Sequence, residues 1–187
     1  MSATKHVAML LVALLLVGCT QASDAPKPAE QKQPVPATEP TVTPEPTETP
    51  VTVVLYFADK NAEYLVAEER TVSKKGESLE EVIVRELAKG PVSSDLFRTI
   101  PKEASVIPPV KVVDKVAFVN FTRELKTKHW GGSAGELLTV YSIVQSLTEL
   151  PGIERVQILI EGEREETLVG HLIINEPIGP NPDMVKK

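Results

Sequence analysis

The stretch SLEEVIVRELAKGP, residues 78–91, specifies an amphipathic helix from its first turn to its last. Ser78 and Glu81 have the spacing of a capping box, in which each side chain accepts a hydrogen bond from the other residue's backbone N–H. Side chains that share one helix face then form a stripe of Leu79, Val82, Ile83, Glu86 and Leu87. Gly90 and Pro91 predict the end of the helix, because glycine suits the C-terminal cap and proline cannot continue it.

Strand patterns lie on both sides of this helix. Residues 51–57 (VTVVLYF) and 65–72 (LVAEERTV) are rich in β-branched and aromatic residues and precede it. Residues 105–113 and 116–121 follow it and flank the dipeptide Asp114-Lys115, a spacing that predicts a hairpin. Lysine is a poor second residue for the tightest turns, so the type of turn stays open.

A second Ser-x-x-Glu pattern, from Ser133 to Glu136, predicts another capping box and a helix over residues 136–150. Pro151-Gly152 ends that helix. Its predicted buried face consists of Leu137, Val140, Tyr141, Val144, Leu147 and Thr148. Two further strands are predicted over residues 156–160 and 168–174.

The resulting order, β-β-α-β-β-α-β-β, predicts an α/β protein of the α+β two-layer type, with two helices packed on one sheet. One globular domain is expected over residues 51–177. Residues 178–187 are expected to form a flexible tail.

The N-terminal part of the chain has the composition of an export signal. An apolar run over residues 7–17 follows Lys5 and ends in Leu16-Val17-Gly18-Cys19. The run is too short to span a bilayer and fits a secretory signal peptide over residues 1–18. A small residue before cysteine resembles the lipobox of bacterial lipoproteins, which predicts cleavage before Cys19, lipidation of its thiol and an extracytoplasmic, membrane-anchored protein. The alternative is an ordinary secretion signal in which Cys19 has no such role.

Residues 20–50 form a tether, since eight of the 16 prolines lie there among Thr, Glu, Ala, Gln and Lys. The segment has little apolar surface to bury, so it is predicted to be disordered. Its prolines favour extended polyproline II, at about 3.1 Å per residue. Together with Cys19, the tether forms a predicted segment over residues 19–50.

Composition and motifs exclude several classes of function. The net charge of −6 disfavours nucleic acid as a partner. The single cysteine leaves no disulfide. The sequence has no phosphate-binding loop, no nucleophile elbow, no dinucleotide fingerprint and no metal-ligand spacing, so neither an enzyme nor a cofactor is predicted. Acidic pairs such as Glu68-Glu69 are predicted to be solvated surface.

One loop is the candidate binding surface. It comprises His129, the only tryptophan Trp130, Gly131, Gly132, Ser133 and Glu136. A helix N-terminus there offers free N–H groups to an anion, and Trp130 offers a ring to a sugar or a partner. The structural alternative is that Ser133 and Glu136 cap the helix while Trp130 covers the edge of the core. His171 is predicted to lie at the end of a strand.

Several segments together resemble the Germane (GerM) domain of bacterial sporulation and spore-germination lipoproteins. The matching pieces follow the family's order through most of the predicted domain, at residues 55–57, 65–66, 68–70, 87, 90–91, 100–101, 131–136, 139–141, 157–162, 170–171 and 176–177. The resemblance implies an α/β fold similar to the ring-building modules of secretion and sporulation machines, and it implies no catalytic residue. Known sporulation members resemble two such domains in tandem, whereas this chain has one.

Two functional hypotheses follow. The first is a non-catalytic interaction or assembly module of the cell envelope, anchored through Cys19, which binds an envelope protein or copies of itself. The second is a module that binds cell-wall peptidoglycan fragments, or an accessory wall hydrolase, centred on Trp130. The first predicts an apolar patch or strand edge, and the second predicts a concave site with Trp130 exposed.

Overall fold

A long antiparallel hairpin begins the part of the chain that the structure, a computed structural model, describes, which is residues 49–187. Strand β1 (Thr49–Asp59) pairs with β2 (Leu65–Lys74) in a register that runs from Thr49↔Lys74 to Ala58↔Leu65. Both predicted strands are confirmed, and β1 begins before the predicted domain boundary at residue 51. The predicted signal peptide, Cys19 and most of the tether lie outside the described residues and stay predictions.

Strand β1 is buried on both faces toward its C-terminal end. Leu55 and Phe57 point into the main core, whereas Tyr56 and Ala58 belong to a smaller apolar cluster on the opposite face. β1 is also the central strand of its sheet. It lies between β2 and β3 (Leu96–Phe97), a two-residue strand that the sequence pattern did not reveal.

The helix α1 (Leu79–Lys89) forms as its sequence predicts. Ser78 Oγ accepts from Glu81 N at 3.2 Å, and Glu81 Oε2 accepts from Ser78 N at 3.0 Å. Gly90, at φ 86°, ends the helix. The apolar stripe buries Val82, Ile83 and Leu87 against β1 and β4.

Glu86 is buried within that stripe because cations surround its carboxylate. Arg70 Nη1 lies 3.1 Å and Lys89 Nζ 2.6 Å from its oxygens, and Arg85 is a further partner. Burial acts to raise the pKa of Glu86, but the hydrogen bonds from Lys89 and Arg70 outweigh it and leave the pKa below its usual value. The network ties β2 to α1.

The prediction that Glu68 is solvated surface is wrong. Its side chain is only 12 % exposed and forms an ion pair with Arg70. Its Oε2 also accepts from the backbone N–H groups of Val92 (3.1 Å) and Ser93 (2.9 Å). Alternation along β2 puts Glu68 and Arg70 on the same face, where they bind the loop after α1.

A second sheet contains β4 (Val106–Val113), β5 (Val116–Phe121) and β6 (Arg155–Ile160) in that order. The predicted β4–β5 hairpin is confirmed. Asp114 and Lys115 both have positive φ, 49° and 63°, as a type I′ turn requires. β6 pairs in parallel with β5 after a crossover through α2 (Glu124–Thr127) and α3 (Gly132–Thr148).

Helix α3 differs from its prediction in start and in burial. It begins at Gly132 rather than at residue 136. Its buried residues are not a single stripe, since the helix contacts β1, β6 and α1. Leu137, Tyr141 and Thr148 of the predicted buried face are only partly buried, while the fully buried positions include Leu138, Thr139, Ser142, Ile143 and Ser146.

The C-terminal part also departs from prediction. No strand forms over residues 168–174, because the backbone there curls around the Glu136 carboxylate. The tail is not loose in the structure. Ile178 and Val156 exchange two 2.8 Å backbone hydrogen bonds, and Lys186 N donates to Leu65 O at 2.8 Å. A short 3₁₀ helix, Pro182–Met184, precedes this last contact.

The predicted class, an α/β fold of the α+β type with two main helices on β-structure, is confirmed. The observed fold differs from the predicted one in two respects. The strands form two three-stranded sheets rather than one, and the last predicted strand is absent. Within residues 49–187 no helix is long and apolar enough to cross a membrane.

Candidate functional site

The start of helix α3 is built by glycines. Gly131 is the N-cap residue at φ 88°, Gly132 follows at φ 56°, and no side chain caps the helix. A Cβ on Gly135 would lie 2.3 Å from Trp130 O, so only glycine lets the first turn pack on the Trp130 peptide. The predicted capping box at Ser133 is therefore wrong.

Trp130 projects from this turn over a surface cavity of about 320 Å³. The Trp130 side chain is 48 % exposed, and Phe97 on the opposite element, strand β3, is 53 % exposed. Both rings line the cavity, together with Ala58, Leu138 and the glycine turn. The volume is at the lower end of ligand sites, which run from about 300 to 1,000 Å³.

The lining of the cavity includes one charged side chain. Arg98 lines it, and its guanidinium donates only to backbone carbonyls, those of Ala88 (2.7 Å), Lys89 (2.7 Å) and Ile100 (3.3 Å). None of the ion pairs within residues 49–187 includes Arg98. The first turn of α3 adds the positive end of a 17-residue helix without an acidic residue in that turn.

His129 lies behind the cavity wall in a hydrogen-bond chain. Its Nε2 is 3.0 Å from Thr139 Oγ1, and the Thr139 hydroxyl donates to Thr99 O at 2.6 Å. Because a hydroxyl has a single proton, Nε2 must be the donor. Nδ1 then carries the lone pair and is buried without a partner.

Burial lowers the pKa of His129 below its usual value, although the Glu136 charge opposes the shift. The ring stacks on Trp130, with centroids 6.0 Å apart. The neutral ring of His129 therefore stacks on Trp130 and positions it.

Glu136, the last predicted site residue, faces away from the cavity. It is fully buried, and its carboxylate accepts backbone N–H groups from Leu168 (2.8 Å), Val169 (3.0 Å) and His171 (2.9 Å). Its function in the structure is to hold the 168–171 loop. His171, predicted at a strand end, lies in that loop.

The structure thus brings only part of the predicted loop to the cavity. Trp130 and Gly131 line it, whereas Gly132 and Ser133 are exposed on the helix start and Glu136 lies elsewhere. Sequence reasoning missed Phe97 and Arg98, because a two-residue strand has no periodicity to detect. In the described part of the chain, no three side chains of metal-ligating type come together.

The fold and site define a small α+β domain with an aromatic-rimmed surface cavity. A family model described as "Sporulation and spore germination", Germane, matches residues 54–166. The chain belongs to the Germane family. No curated protein matches it significantly.

Solved structures agree with this assignment. The tandem GerMN domains of the sporulation protein GerM from Bacillus subtilis align with TM-score 0.57 and 21 % identity, over 79 % of this chain and 50 % of that one. The first GerMN domain alone aligns with TM-score 0.55 and 26 % identity, over 73 % of this chain and 98 % of that one. A protein from Clostridium perfringens described as a lipoprotein aligns with TM-score 0.50 and 22 % identity, over 70 % of this chain and 87 % of that one. The chain thus spans half the length of the tandem structure.

Proposed function

We propose that this chain is a lipid-anchored lipoprotein outside the cytoplasm, whose Germane domain is a non-catalytic interaction module of the cell envelope that acts in sporulation or germination. The observation that carries the proposal is the cavity beneath Trp130 and Phe97. Two half-exposed aromatic rings on separate elements form a surface suited to binding, because aromatic side chains dominate the energetics of interfaces.

The chemistry of the cavity supports binding rather than catalysis. A general base must reach the proton that it removes, but the nearby His129 donates its Nε2–H to Thr139, and Nδ1 is buried. The polar side chains that line the cavity are Thr99, Thr139 and Arg98, and all three are committed to hydrogen bonds within the protein.

The anchor rests on sequence. Cys19 follows an apolar run of signal-peptide length and precedes a proline-rich tether. The Clostridium perfringens relative is also described as a lipoprotein. Labelling of cells with an alkyne fatty acid is expected to mark the wild-type protein and to leave Cys19→Ser unlabelled. An unlabelled wild type would contradict the anchor.

Site-specific photo-crosslinking in intact cells tests the binding surface. A photoreactive residue placed at Phe97 is expected to capture one defined partner. The matched control is Val113, which is 54 % exposed on the β4–β5 hairpin and is not among the residues that line the cavity. Equal capture from both positions, or none from Phe97, would contradict the proposal.

Peptidoglycan fragments are the second candidate partner, favoured by the exposure of Trp130 over a concave surface. Sugar rings stack on tryptophan, and Trp130 is the only tryptophan, so its fluorescence reports binding directly. Titration with muropeptides is expected to change this emission. In a Trp130→Ala variant, which lacks the ring, calorimetry is expected to detect no binding. A silent titration would remove this candidate.

A further inference from the structure

We infer that a second copy of this chain pairs with the outer edge of strand β2, so that two β2–β1–β3 sheets join across a two-fold axis. An unpaired sheet edge offers a row of backbone N–H and C=O groups to another strand. This surface is separate from the cavity beneath Trp130 and Phe97. The inference therefore goes beyond the proposed function and does not depend on it.

The odd-numbered residues of β2 direct their backbone groups away from β1. Asp59 N, in β1, donates to Tyr64 O, whereas Lys186 N, in the C-terminal tail, donates to Leu65 O. Consecutive residues of a strand direct these groups to opposite sides, and the β1–β2 register runs without interruption. Beyond the tail contact, the outward residues are Ala67, Glu69, Thr71 and Ser73.

This outer edge of β2 is open. All four outward residues are exposed, and the strand contains no proline. Within residues 49–187 their outward backbone groups have a single partner, because Arg85 Nη2 donates to Ser73 O at 3.3 Å. A carbonyl oxygen has two lone pairs, so Ser73 O can accept a second hydrogen bond from a neighbouring strand.

The three other edge strands of the described domain are closed. β4 contains Pro108 and Pro109 at the point where its register with β5 shifts, and proline has no N–H to donate. β3 has only two residues. In β6, Val156 already exchanges backbone hydrogen bonds with Ile178. Native proteins close such edges against unwanted pairing, so the long open edge of β2 indicates a surface that pairs.

Charge restricts how a second copy can pair. In an antiparallel pair with a two-fold axis, the residue at the axis lies opposite itself. An axis at Glu69 or Arg70 would put like charges directly opposite each other, which is destabilising. An axis at Val72 would put Arg70 opposite Lys74, with the same result. Axes nearer either end of β2 leave only a few residues paired.

An axis at Thr71 avoids all of these contacts. Glu69 then lies opposite Ser73, and Glu68 lies opposite Lys74, which has the other sign of charge. The exposed hydroxyl groups of the two Thr71 residues meet in a favourable cross-strand pair. The paired segment ends before the contact between the C-terminal tail and β2, so that contact is kept. The charge order along β2 is thus complementary to itself, which makes a second copy the occupant.

Oxidative crosslinking of the full chain in intact cells tests the inference. Thr71→Cys is expected to convert most of the protein to a disulfide-linked dimer. At the axis the two Cα atoms form a hydrogen-bonded pair about 5.5 Å apart, which is within the range of a disulfide. The wild type, whose only cysteine is Cys19, gives the background.

Two matched cysteine variants are expected to stay monomeric. Thr52 lies opposite Thr71 on β1 and is equally exposed, but three strand spacings, about 14 Å, would separate the two copies of Thr52→Cys. Glu69 lies on the same edge as Thr71, but Glu69→Cys would lie four residues from its copy, about 13 Å along the strand. Thermal unfolding of the three purified variants verifies that each is folded.

A second pair of variants tests the register through charge. In the Thr71→Cys chain, Ser73→Glu would put a carboxylate opposite Glu69 at two symmetric positions and is expected to lower the yield of dimer about fivefold. Ser73→Lys changes the same residue without this repulsion and is expected to keep the yield.

The inference is overturned by any of three results. A folded Thr71→Cys chain that gives no dimer shows that the edge does not pair with a copy. Equal dimer from positions 52, 69 and 71 shows random collision. A disulfide between Thr71→Cys and a different protein assigns the edge to another partner. None of these results bears on photo-crosslinking from Phe97, so the proposed function of the cavity is tested separately.

Discussion

Helices α1 and α3 both carry Ser-x-x-Glu near their start, yet only α1 uses it as a cap. At α1, Ser78 has extended backbone dihedrals (φ −70°, ψ 161°) and bonds Glu81 reciprocally. At α3, Gly131 and Gly132 start the helix one turn earlier, which puts Ser133 and Glu136 inside it. The capping residue must lie outside the helix. The glycines before Ser133 place it inside α3, so Glu136 binds the distant 168–171 loop instead of forming a capping box with Ser133.

Among the substitutions that test this comparison, Glu136→Ala is expected to lower the free energy of unfolding the most. The substitution removes the acceptor of three backbone N–H groups, and that of Leu168 is buried. We expect the free energy of unfolding to fall by about 3 kcal/mol. Chemical denaturation measures this loss.

Two variants control this experiment. Glu136→Gln keeps an acceptor oxygen and should lose about half as much, because hydrogen bonds to a neutral acceptor are about half as strong. Glu81→Gln, in the true capping box, should cost under about 1 kcal/mol. Equal losses at positions 136 and 81 would mean that the two motifs act alike.

Gly135→Ala sharpens the comparison through the backbone. In an ordinary helix interior this change stabilises by about 1 kcal/mol. Here the new Cβ would lie 2.3 Å from Trp130 O, so we expect destabilisation of about 2 kcal/mol instead. The Trp130 emission should shift as well, because the loop must move. A stabilised variant would show that the close approach is not required.

Ser78→Ala and Ser133→Ala compare the two serines directly. The first removes a cap and should cost about 1 kcal/mol. The second lies on the exposed first turn without a capping bond and should change stability by less than about 0.5 kcal/mol. Thermal unfolding of both variants under one condition measures the difference, and a reversed order would contradict the assigned caps.

The sequence predicted elements wherever local signals were sufficient. The α1 helix, the β1–β2 pair and the β4–β5 hairpin follow from periodicity, capping and turn spacing within a few residues of each other. The roles of Glu136 and Glu68 could not be predicted, because the backbone N–H groups that they bind lie more than 20 positions away in the chain. Residues 168–174 are rich in apolar, β-branched residues like a strand, yet the N–H groups of Leu168, Val169 and His171 bind Glu136 rather than a neighbouring strand.

Only part of the residues that line the candidate site was predicted from the sequence. Trp130 was singled out because it is the only tryptophan and precedes the two glycines of a turn, but Phe97 and Arg98 reach the cavity through tertiary packing alone. The two-residue strand β3 exists because Ala58 and Asp59 offer it a pairing edge. No local pattern encodes such a contact.

His129 gives the smallest of the expected effects and connects the α3 start to pH. Its pKa lies below the usual value because the ring is buried, so the unfolded chain binds more protons than the folded one as pH falls below about 6.5. The contribution of neutral His129 to stability is therefore complete above that pH and declines between it and the lower folded pKa.

Denaturation of the wild type and His129→Gln at pH 7.5, 6.5 and 5.5 measures the difference, since glutamine can still donate to Thr139 without titrating. The wild type should lose more stability than the variant over this range. Parallel curves would mean that protonated His129 is accommodated, and the Nε2–Thr139–Thr99 chain would then not fix the neutral form.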